Sequence, residues 1–217
     1  MSGTCAVAVL IKDGTAYTAN LGDSRAVVGS FSKEETCALE ISIDHKPTRE
    51  GEKERVLASG GKIERSMVDD KEVGPFRVWK AEEDIPGIAI TRSLGDLVAH
   101  KIGVSADPEV TSKDIDPDDK FIVLGSDGVW DVMSSAEAVG FILSLPPEDK
   151  MAAAEKMVAE CRERWDLLNE IKKKQAQIML DSSDTSKKAA AERKLELERN
   201  IVRDDITVVI HYITADS

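Results

Sequence analysis

One stretch of the sequence, FIVLGSDGVWDVM at positions 121–133, carries acidic residues in an unusual place. A run of apolar and small residues, typical of a buried strand, leads directly to Asp127, and Asp131 follows four positions later. Because strand ends are rigid, a carboxylate placed there can be directed at one point. Gly128 permits a tight turn after Asp127, and such a turn can bring Asp131 back near the same point. The stretch therefore suits two carboxylates that share a ligand.

Three further aspartates stand at the ends of apolar or β-branched segments. They are Asp44 after CALEISI, Asp96 at the end of TRSLGD and Asp204 just before ITVVIHYI. Hard divalent cations such as Mg²⁺ and Mn²⁺ bind several carboxylate and water oxygens in octahedral geometry. The five aspartates at segment ends therefore predict a site for such a cation.

A structural role is the alternative for each of these residues, since an aspartate at a strand end most often forms a turn or caps a helix. Asp131, for example, can cap the helix that begins near Ser134. Asp23, in LGDSR, is predicted to turn a hairpin or to pair with Arg25 rather than to join the acidic site. The pattern of five aspartates weakens the structural alternative without removing it.

Other chemistries have less support in the sequence. It contains neither a G-x-S-x-G nucleophile motif nor a G-x₄-G-K-[ST] phosphate loop. His45, His100 and His211 show no metal-ligand spacing, and His45 is at most a supporting group beside the acidic site. Arg92 and Lys46 can offer charge to a phosphate, but a surface salt bridge is the commoner role for such residues.

The first half of the chain is predicted to be β-structure. A hairpin is expected over 5–21 with its turn at 12–14, and a second strand pair over 24–30 and 37–43. A short charged helix is expected over 49–61, where two glycines end it. Further strands are predicted in the segments KIER, FRVWK, GIAIT, EVTSKDI and KFIVLGS.

The second half is predicted to be mostly helical. Ser134 and Glu137 form a capping box that opens a helix to about Leu145, and two prolines mark the next start. Segment 170–200 is expected to be a solvated helical insertion, because its charge-rich sequence lacks a convincing apolar face. Segment 204–213 returns to an alternating strand. Spacings of three and four predict one buried stripe on a long helix: Ala154, Met157, Val158, Cys161, Trp165 and Leu168.

Length and composition limit the class of protein. The 217 residues suit one domain, and 41% hydrophobic residues are enough for a core. The net charge of −12 argues against nucleic-acid binding, which depends on neutralising phosphates. Cys5, Cys37 and Cys161 have neither zinc spacing nor an even count, so they are expected to be buried thiols. Without a signal peptide or a long apolar run, the chain is expected to be cytoplasmic or nuclear and to bind no membrane.

The ordered motifs resemble the PP2C-type protein serine/threonine phosphatases, the metal-dependent PPM family. They are SGTCAVAVLI, LGDSRAVV, DHKP with EKERVLASGGKI, ITRSLGD, ADPEV, FIVLGSDGVWDVMS and RDDITVVIHYI. The resemblance covers nearly the whole chain outside 170–200. It implies one PP2C-type domain over 1–217 with an α+β fold, in which two antiparallel sheets form a sandwich flanked by helix pairs.

The resemblance also implies a chemistry. Family members hold two Mn²⁺ or Mg²⁺ ions in a cleft, with a weaker third, and a metal-bound water attacks phosphoserine or phosphothreonine of a phosphoprotein substrate. By motif, Asp127 and Asp204 are expected to bind the dinuclear centre, and Asp204 is chosen because Asp205 stands where most members have Asn. The positions linked to the third metal are Asp44, Asp96 and Asp131.

The chain departs from the family in one respect. The family's DGHGG motif, which supplies a bridging Asp and a His general acid, does not occur in these 217 residues. We therefore expect an incomplete domain with impaired activity, exposed sheet edges and self-association through those edges. The alternative is an inactive PP2C-like fragment or pseudophosphatase that acts as a protein-binding module.

Overall fold

The computed structural model describes residues 2–32, 35–68, 71–180 and 204–214. The strands are β1 Gly3–Thr4, β2 Ala6–Lys12, β3 Thr15–Leu21, β4 Arg25–Ser32, β5 Glu35–Glu40, β6 Gly61–Val68, β7 Lys71–Lys80, β8 Glu83–Ile88, β9 Leu94–Gly95, β10 Glu109–Asp114, β11 Asp119–Gly125 and β12 Val208–Tyr212. The α-helices are α1 Glu50–Ala58, α2 Leu97–His100, α3 Asp127–Trp130, α4 Ser135–Ser144 and α5 Ala153–Leu180, with a 3₁₀ helix at Pro147–Ala152.

Two antiparallel sheets stack on each other. One has the strand order β10-β3-β2, and the other has the order β12-β11-β4-β5. An apolar layer fills the space between them, and its buried members are Ala16, Ala26, Val28, Ile41 and Ile122. The predicted α+β sandwich is therefore confirmed.

The central strands β4 and β11 bury both of their faces. Val28 and Ile122 point toward the other sheet, whereas Val27 and Val123 belong to a second core on the opposite face. This follows from the two-residue period of a strand, which sends neighbouring side chains to opposite sides. The sequences of these two strands are therefore almost continuously apolar. Packing on both faces holds the end of β11 rigidly in place.

Helices α3, α4 and α5 cover the outer face of the four-stranded sheet. The capping box at Ser134 and Glu137 is present as predicted, and it opens α4. On α5, Met157, Cys161 and Trp165 are buried. Ala153 is buried in place of Ala154, so the predicted stripe is correct in its centre and shifted by one position at its start.

The first hairpin is formed as the sequence predicts. β2 and β3 pair from Ala6 opposite Leu21 to Lys12 opposite Thr15. The two turn residues between them, Asp13 and Gly14, both have positive φ, at 51° and 76°. Such a turn matches the twist of the paired strands, and Asp-Gly tolerates its left-handed conformation.

A smaller sheet, β6-β7-β8, packs against α1 and α2 around a third core. A buried carboxylate on α1 connects this helix to the segment at Thr91 and Arg92. Glu52 accepts hydrogen bonds from Arg92 Nη2 at 2.7 Å and Thr91 Oγ1 at 2.6 Å. Burial alone would raise the pKa of Glu52, but bonds from Arg55, Arg92 and Thr91 outweigh it and hold that pKa well below its usual range. Arg92 is therefore a half-buried structural partner of a buried carboxylate, not the surface salt bridge expected from the sequence.

Some predicted elements are wrong in extent or environment. The strand predicted in GIAIT ends at Ile88, because the amide of Thr91 donates to the carbonyl of His45 instead of to a sheet neighbour. Cys37 is exposed on the edge strand β5, although a buried thiol is expected.

Of the predicted insertion over 170–200, the part up to Leu180 continues α5, and the remainder lies outside the described residues. Within the described ranges, no helix combines the length and apolar character that crossing a membrane requires.

Candidate metal centre

A cleft of about 540 Å³ opens where the two stacked sheets meet at one end. The beginning of β2, the connection between β3 and β4, the end of β11 and the segment before β12 all contribute to it. Its acidic lining residues are Asp23, Asp127, Asp204 and Asp205. The cleft therefore gathers carboxylates from three distant parts of the chain.

Asp127 and Asp204 reach the same wall because two backbone segments dock closely. Ser126 Oγ donates to the carbonyl of Asp205 at 2.8 Å, and the amide of Thr207 donates to Ser126 Oγ at 3.1 Å. Gly128 makes this approach sterically possible, since a Cβ there would lie 2.5 Å from the Asp205 carbonyl oxygen. The glycine after Asp127 thus permits a contact between segments in addition to the turn predicted from the sequence.

Two indoles hold the turn that carries Asp127. Trp130 Nε1 donates to the carbonyl of Gly125 at 2.8 Å, and Trp165 Nε1 donates to the carbonyl of Gly128 at 2.8 Å. The Trp165 bond is buried and the Trp130 bond partly so, and together they fix the turn on both sides of Asp127. The position of Asp127 depends on the core as well as on its own loop.

Asp131 returns to the acidic site through one helical turn. The amide of Asp131 donates to the carbonyl of Asp127 at 2.9 Å, so the two carboxylates lie one above the other at a spacing of four residues. The pKa of Asp131 is raised, first by burial and then by the charges of Asp23, Asp204 and Asp44, which together outweigh Lys46. The predicted convergence of Asp127 and Asp131 is present in the structure.

Asp23 is a site residue that the sequence prediction missed. It lies between strands of different sheets, so it turns no hairpin, and its hydrogen-bond partners are Cys5 Sγ at 3.3 Å and the ammonium of Lys46. Arg25 binds Asp44 and Glu40 instead of Asp23. A signal was nevertheless present, because Asp23 comes shortly after an apolar strand, as Asp44 and Asp127 do.

Burial and mutual repulsion make this group of carboxylates difficult to ionise. The pKa of Asp127 is raised to about 6, first by burial and then by the charges of Asp23, Asp204 and Asp131. Burial and the same acidic surroundings raise the pKa of the Cys5 thiol to about 11. Carboxylates with raised pKa values are stabilised when a cation binds beside them, because the cation favours their charged form.

Asp44 and Asp96 are placed differently from the other predicted ligands. Arg25 binds Asp44 through two bonds, Nε to Oδ1 at 3.0 Å and Nη2 to Oδ2 at 2.9 Å. Asp44 is still close enough to raise the pKa of Asp131. Asp96, whose φ of 47° is left-handed, packs its carboxylate against Gly3 and is not among the described residues that line the cleft.

A buried histidine joins the loops on either side of the cleft. His45 Nδ1 lies 3.1 Å from both the amide nitrogen and the carbonyl oxygen of Gly22, and Nε2 lies 3.1 Å from a carboxylate oxygen of Glu109. The pKa of His45 is lowered, first by burial and then by Arg92, which keeps the ring neutral. His45 therefore supports the neighbours of Asp23 and Asp44, in agreement with the supporting role considered for it.

The donor set suits a hard cation, although it is not closed. In the part of the chain that the structure describes, no group of three or more His, Cys, Asp or Glu side chains is already arranged to hold a metal ion. The side chains that converge are carboxylates, the donors that Mg²⁺ and Mn²⁺ prefer. Asp127, Asp131 and Asp204 fit such an ion chemically and leave coordination positions for other oxygens.

Comparison with known proteins identifies the family. Residues 1–165 match the family model described as Protein phosphatase 2C, so the chain belongs to that family. The sequence resemblance is therefore confirmed over three quarters of the chain, and the match ends within α5 at Trp165.

Plant relatives show the same relation. The chain is 37% identical over 165 residues to "Probable protein phosphatase 2C 73" of Arabidopsis thaliana, covering 76% of this chain and 43% of that protein. It is 40% identical over 165 residues to "Probable protein phosphatase 2C 12" of Oryza sativa subsp. japonica, covering 76% of this chain and 41% of that protein. The chain thus spans less than half the length of these curated relatives.

Solved structures share the fold. A serine-threonine phosphatase 2C from Toxoplasma gondii has a TM-score of 0.64 and 25% identity, covering 75% of this chain and 54% of that one. A C. elegans sex determining protein has a TM-score of 0.67 and 21% identity, covering 97% of this chain and 40% of that one. At its lower identity, the second likeness supports the architecture alone.

The raised pKa of Asp127 predicts a pH-dependent effect of Asp127→Asn. Asp127 binds its proton more tightly in the folded protein, with a pKa of about 6 against an ordinary 3.8, so its ionisation costs stability as the pH rises through this range. In chelator-treated protein, Asp127→Asn should raise the free energy of unfolding by about 1–2 kcal/mol near pH 7.5, after allowance for partial exposure, and by little near pH 4. Denaturant unfolding at both pH values measures this. A gain of equal size at both would contradict the assignment, and exposed Asp118→Asn is the control.

The close approach at Gly128 predicts opposite effects for two glycine substitutions. Gly128→Ala should destabilise the protein by about 1–3 kcal/mol, because the new methyl group collides with the Asp205 carbonyl and forces the two segments apart. Gly140→Ala, in the middle of α4 with nothing within 4 Å of its Cβ, should stabilise by up to about 1 kcal/mol. Denaturant unfolding of both variants is the measurement. Equal and small effects would show that segment 205–207 does not depend on Gly128.

Proposed function

We propose that this chain forms the larger part of a metal-dependent serine/threonine phosphatase site that hydrolyses phosphoserine and phosphothreonine in proteins. The approach of Asp127, Asp204 and Asp23 in one cleft, with Asp131 one helical turn after Asp127, supports the proposal most strongly. Nothing in the packing of the fold requires four like charges at one point, and their repulsion opposes folding. A cluster of this kind is favourable only when a positive ligand binds it.

Asp127, Asp131 and Asp204 would hold divalent Mn²⁺ or Mg²⁺. When bound, such cations neutralise phosphoryl oxygens and make a water molecule more acidic. The hydrogen bonds of two of these aspartates show which oxygen can bind a cation. Asp127 and Asp204 each accept a bond from the next amide in the chain, at 2.9 and 2.8 Å, which leaves their other carboxylate oxygen for a ligand.

Asp44 has a more indirect role in this proposal. Its two bonds to Arg25 occupy both carboxylate oxygens, so binding a weaker third cation there requires Arg25 to move or to share its partner. Asp96 would join such a site only from the rim beside Gly3. We therefore propose Asp127, Asp131 and Asp204 as the principal ligands and Asp44 and Asp96 as secondary ones.

Two basic residues of this chain would bind or balance the substrate's charge. Lys46 forms an ion pair with Asp23, so it offsets part of the acidic charge when a phosphoryl group is absent. Arg162 on α5 lines an adjoining recess of about 470 Å³ with Asp204, Asp205, Ile206 and Thr207. A guanidinium there is suited to contact a phosphate, because it presents several donors in one plane.

Manganese binding tests the ligand assignment without depending on turnover. Titration followed by calorimetry and by the electron paramagnetic resonance of free Mn²⁺ should show binding in the parent chain. Asp127→Asn and Asp204→Asn should each weaken it about tenfold or more, because each removes a charged ligand. Asp118→Asn, which neutralises an exposed aspartate outside the cleft, should leave it unchanged. Unaltered affinity in Asp127→Asn would remove that residue from the site.

Turnover of a phosphothreonine peptide tests the reaction itself. We expect the 217 residues alone to hydrolyse it near background in Mn²⁺, because acid–base help of the kind the DGHGG histidine supplies contributes about 10²–10⁴ in rate. Adding a segment that carries that motif, fused or as a separate peptide, should restore hydrolysis, and Asp127→Asn should abolish the restored rate. Restored activity that survives Asp127→Asn would contradict the proposed site. Failure of restoration alongside intact Mn²⁺ binding would favour the inactive binding module.

A further inference from the structure

The Lys46 ammonium lies against an aspartate that lines the acidic cleft. It forms an ion pair with Asp23 Oδ2, and Cys5 Sγ donates to Asp23 Oδ1 at 3.3 Å. Both oxygens of Asp23 are therefore bound by groups of the chain itself. Asp127 and Asp204 differ from it, because the bond that each accepts from the next amide takes up a single oxygen.

The backbone brings Lys46 and Asp23 together. The amide of His45 donates to the carbonyl of Gly22 at 2.9 Å, and Lys46 and Asp23 are the residues that follow these two. The Asp23 side chain is only 8% exposed, whereas that of Lys46 is 38% exposed. The carboxylate is thus held in the interior, while the ammonium sits on a flexible stem that can move out to water.

The charge of Lys46 acts on more than one carboxylate. Burial alone would lower the pKa of Lys46, but the bond to Asp23 and the charges of Asp23, Asp131 and Asp44 raise it. Burial raises the pKa of Asp131, and the charge of Lys46 opposes that rise. One ammonium does not neutralise the group, since the pKa of Asp127 is still about 6. Lys46 is therefore a monovalent counter-ion of carboxylates that need more positive charge.

We propose that Lys46 competes with the divalent cation: its ammonium binds Asp23 in the metal-free protein and leaves for water when Mn²⁺ or Mg²⁺ binds. Asp23 Oδ2 then becomes available beside Asp127 and Asp204. The ammonium opposes metal binding by repelling the cation and by occupying this oxygen. Such repulsion over a few ångströms is enough to weaken binding about tenfold, even in water. This inference rests on the proposed metal-dependent function and adds to it a residue that sets the cation concentration at which the site fills.

Manganese titration of Lys46 variants tests the competition. Lys46→Met, which keeps a long side chain without the charge, should bind Mn²⁺ about tenfold more tightly than the parent chain in calorimetry and electron paramagnetic resonance. Lys46→Arg keeps the charge and should stay close to the parent. The control is Lys12→Met, which removes an exposed charge about 20 Å along β2 from Ala6 at the cleft and should change little.

Thermal unfolding separates competition from a purely structural role. In chelator, Lys46→Met should melt below the parent, because Asp23 and its neighbours lose a counter-ion. The same Mn²⁺ concentration should then raise its melting temperature by more than that of the parent, because tighter binding stabilises the fold more. Equal or weaker Mn²⁺ affinity in Lys46→Met would overturn the inference alone. Mn²⁺ binding in neither chain would contradict the proposed function itself.

Lysine side-chain NMR of the parent chain tests the inference without a substitution. When Mg²⁺ is added, the ε-methylene signal of Lys46 should move towards that of an exposed lysine such as Lys12, because the ammonium leaves Asp23 for water. Mg²⁺ is diamagnetic, so the signal remains observable. A Lys46 signal that stays unchanged while Mg²⁺ binds would show that the ion pair persists, and would overturn the proposal.

Discussion

The acidic cleft depends on one contact, the docking of the turn 126–128 onto the backbone of 205–207. Ser126 and Gly128 make it, the first through hydrogen bonds and the second by leaving room for the Asp205 carbonyl. The contact extends the ladder between β11 and β12 past the last paired residues. Without it, Asp127 and Asp204 would stand on separate loops, and no common ligand could bind both. A side chain of minimal size therefore determines the position of two charges.

The acidic cleft and the surroundings of Glu52 on α1 treat carboxylate charge in opposite ways. Glu52 is surrounded by Arg55, Arg92 and Thr91, and it is stabilised in its ionised form. The carboxylates of Asp127 and Asp131 have too few positive partners among the described residues, and Lys46 compensates only part of their charge. A charge that the protein satisfies by itself serves structure, whereas a charge left incompletely compensated is available to a ligand.

The sequence predicted those features that depend on local pattern. A run of apolar and small residues located β11, and the spacing of Asp127 and Asp131 indicated a turn that brings two carboxylates together. The prediction was wrong for Asp23, because a connection between sheets and a hairpin turn have the same local composition, and only the pairing of distant strands separates them. The partners of Arg25 could not be predicted for the same reason, since Glu40 and Asp44 approach it only when β5 pairs with β4. Long-range contacts, not propensities, decided these residues.

Helix α5 gives the cleft a mechanical connection to a distant surface. Its 28 residues form a rod of about 42 Å, and the part after Trp165 lies beyond the family match. Near its middle, Trp165 holds the carbonyl of Gly128, one residue from Asp127. A sliding or twisting of the rod about its axis therefore stretches this bond and shifts the turn beneath it. A displacement of α5 that reached Trp165 would thus be passed to Asp127 as a change in the position of its support.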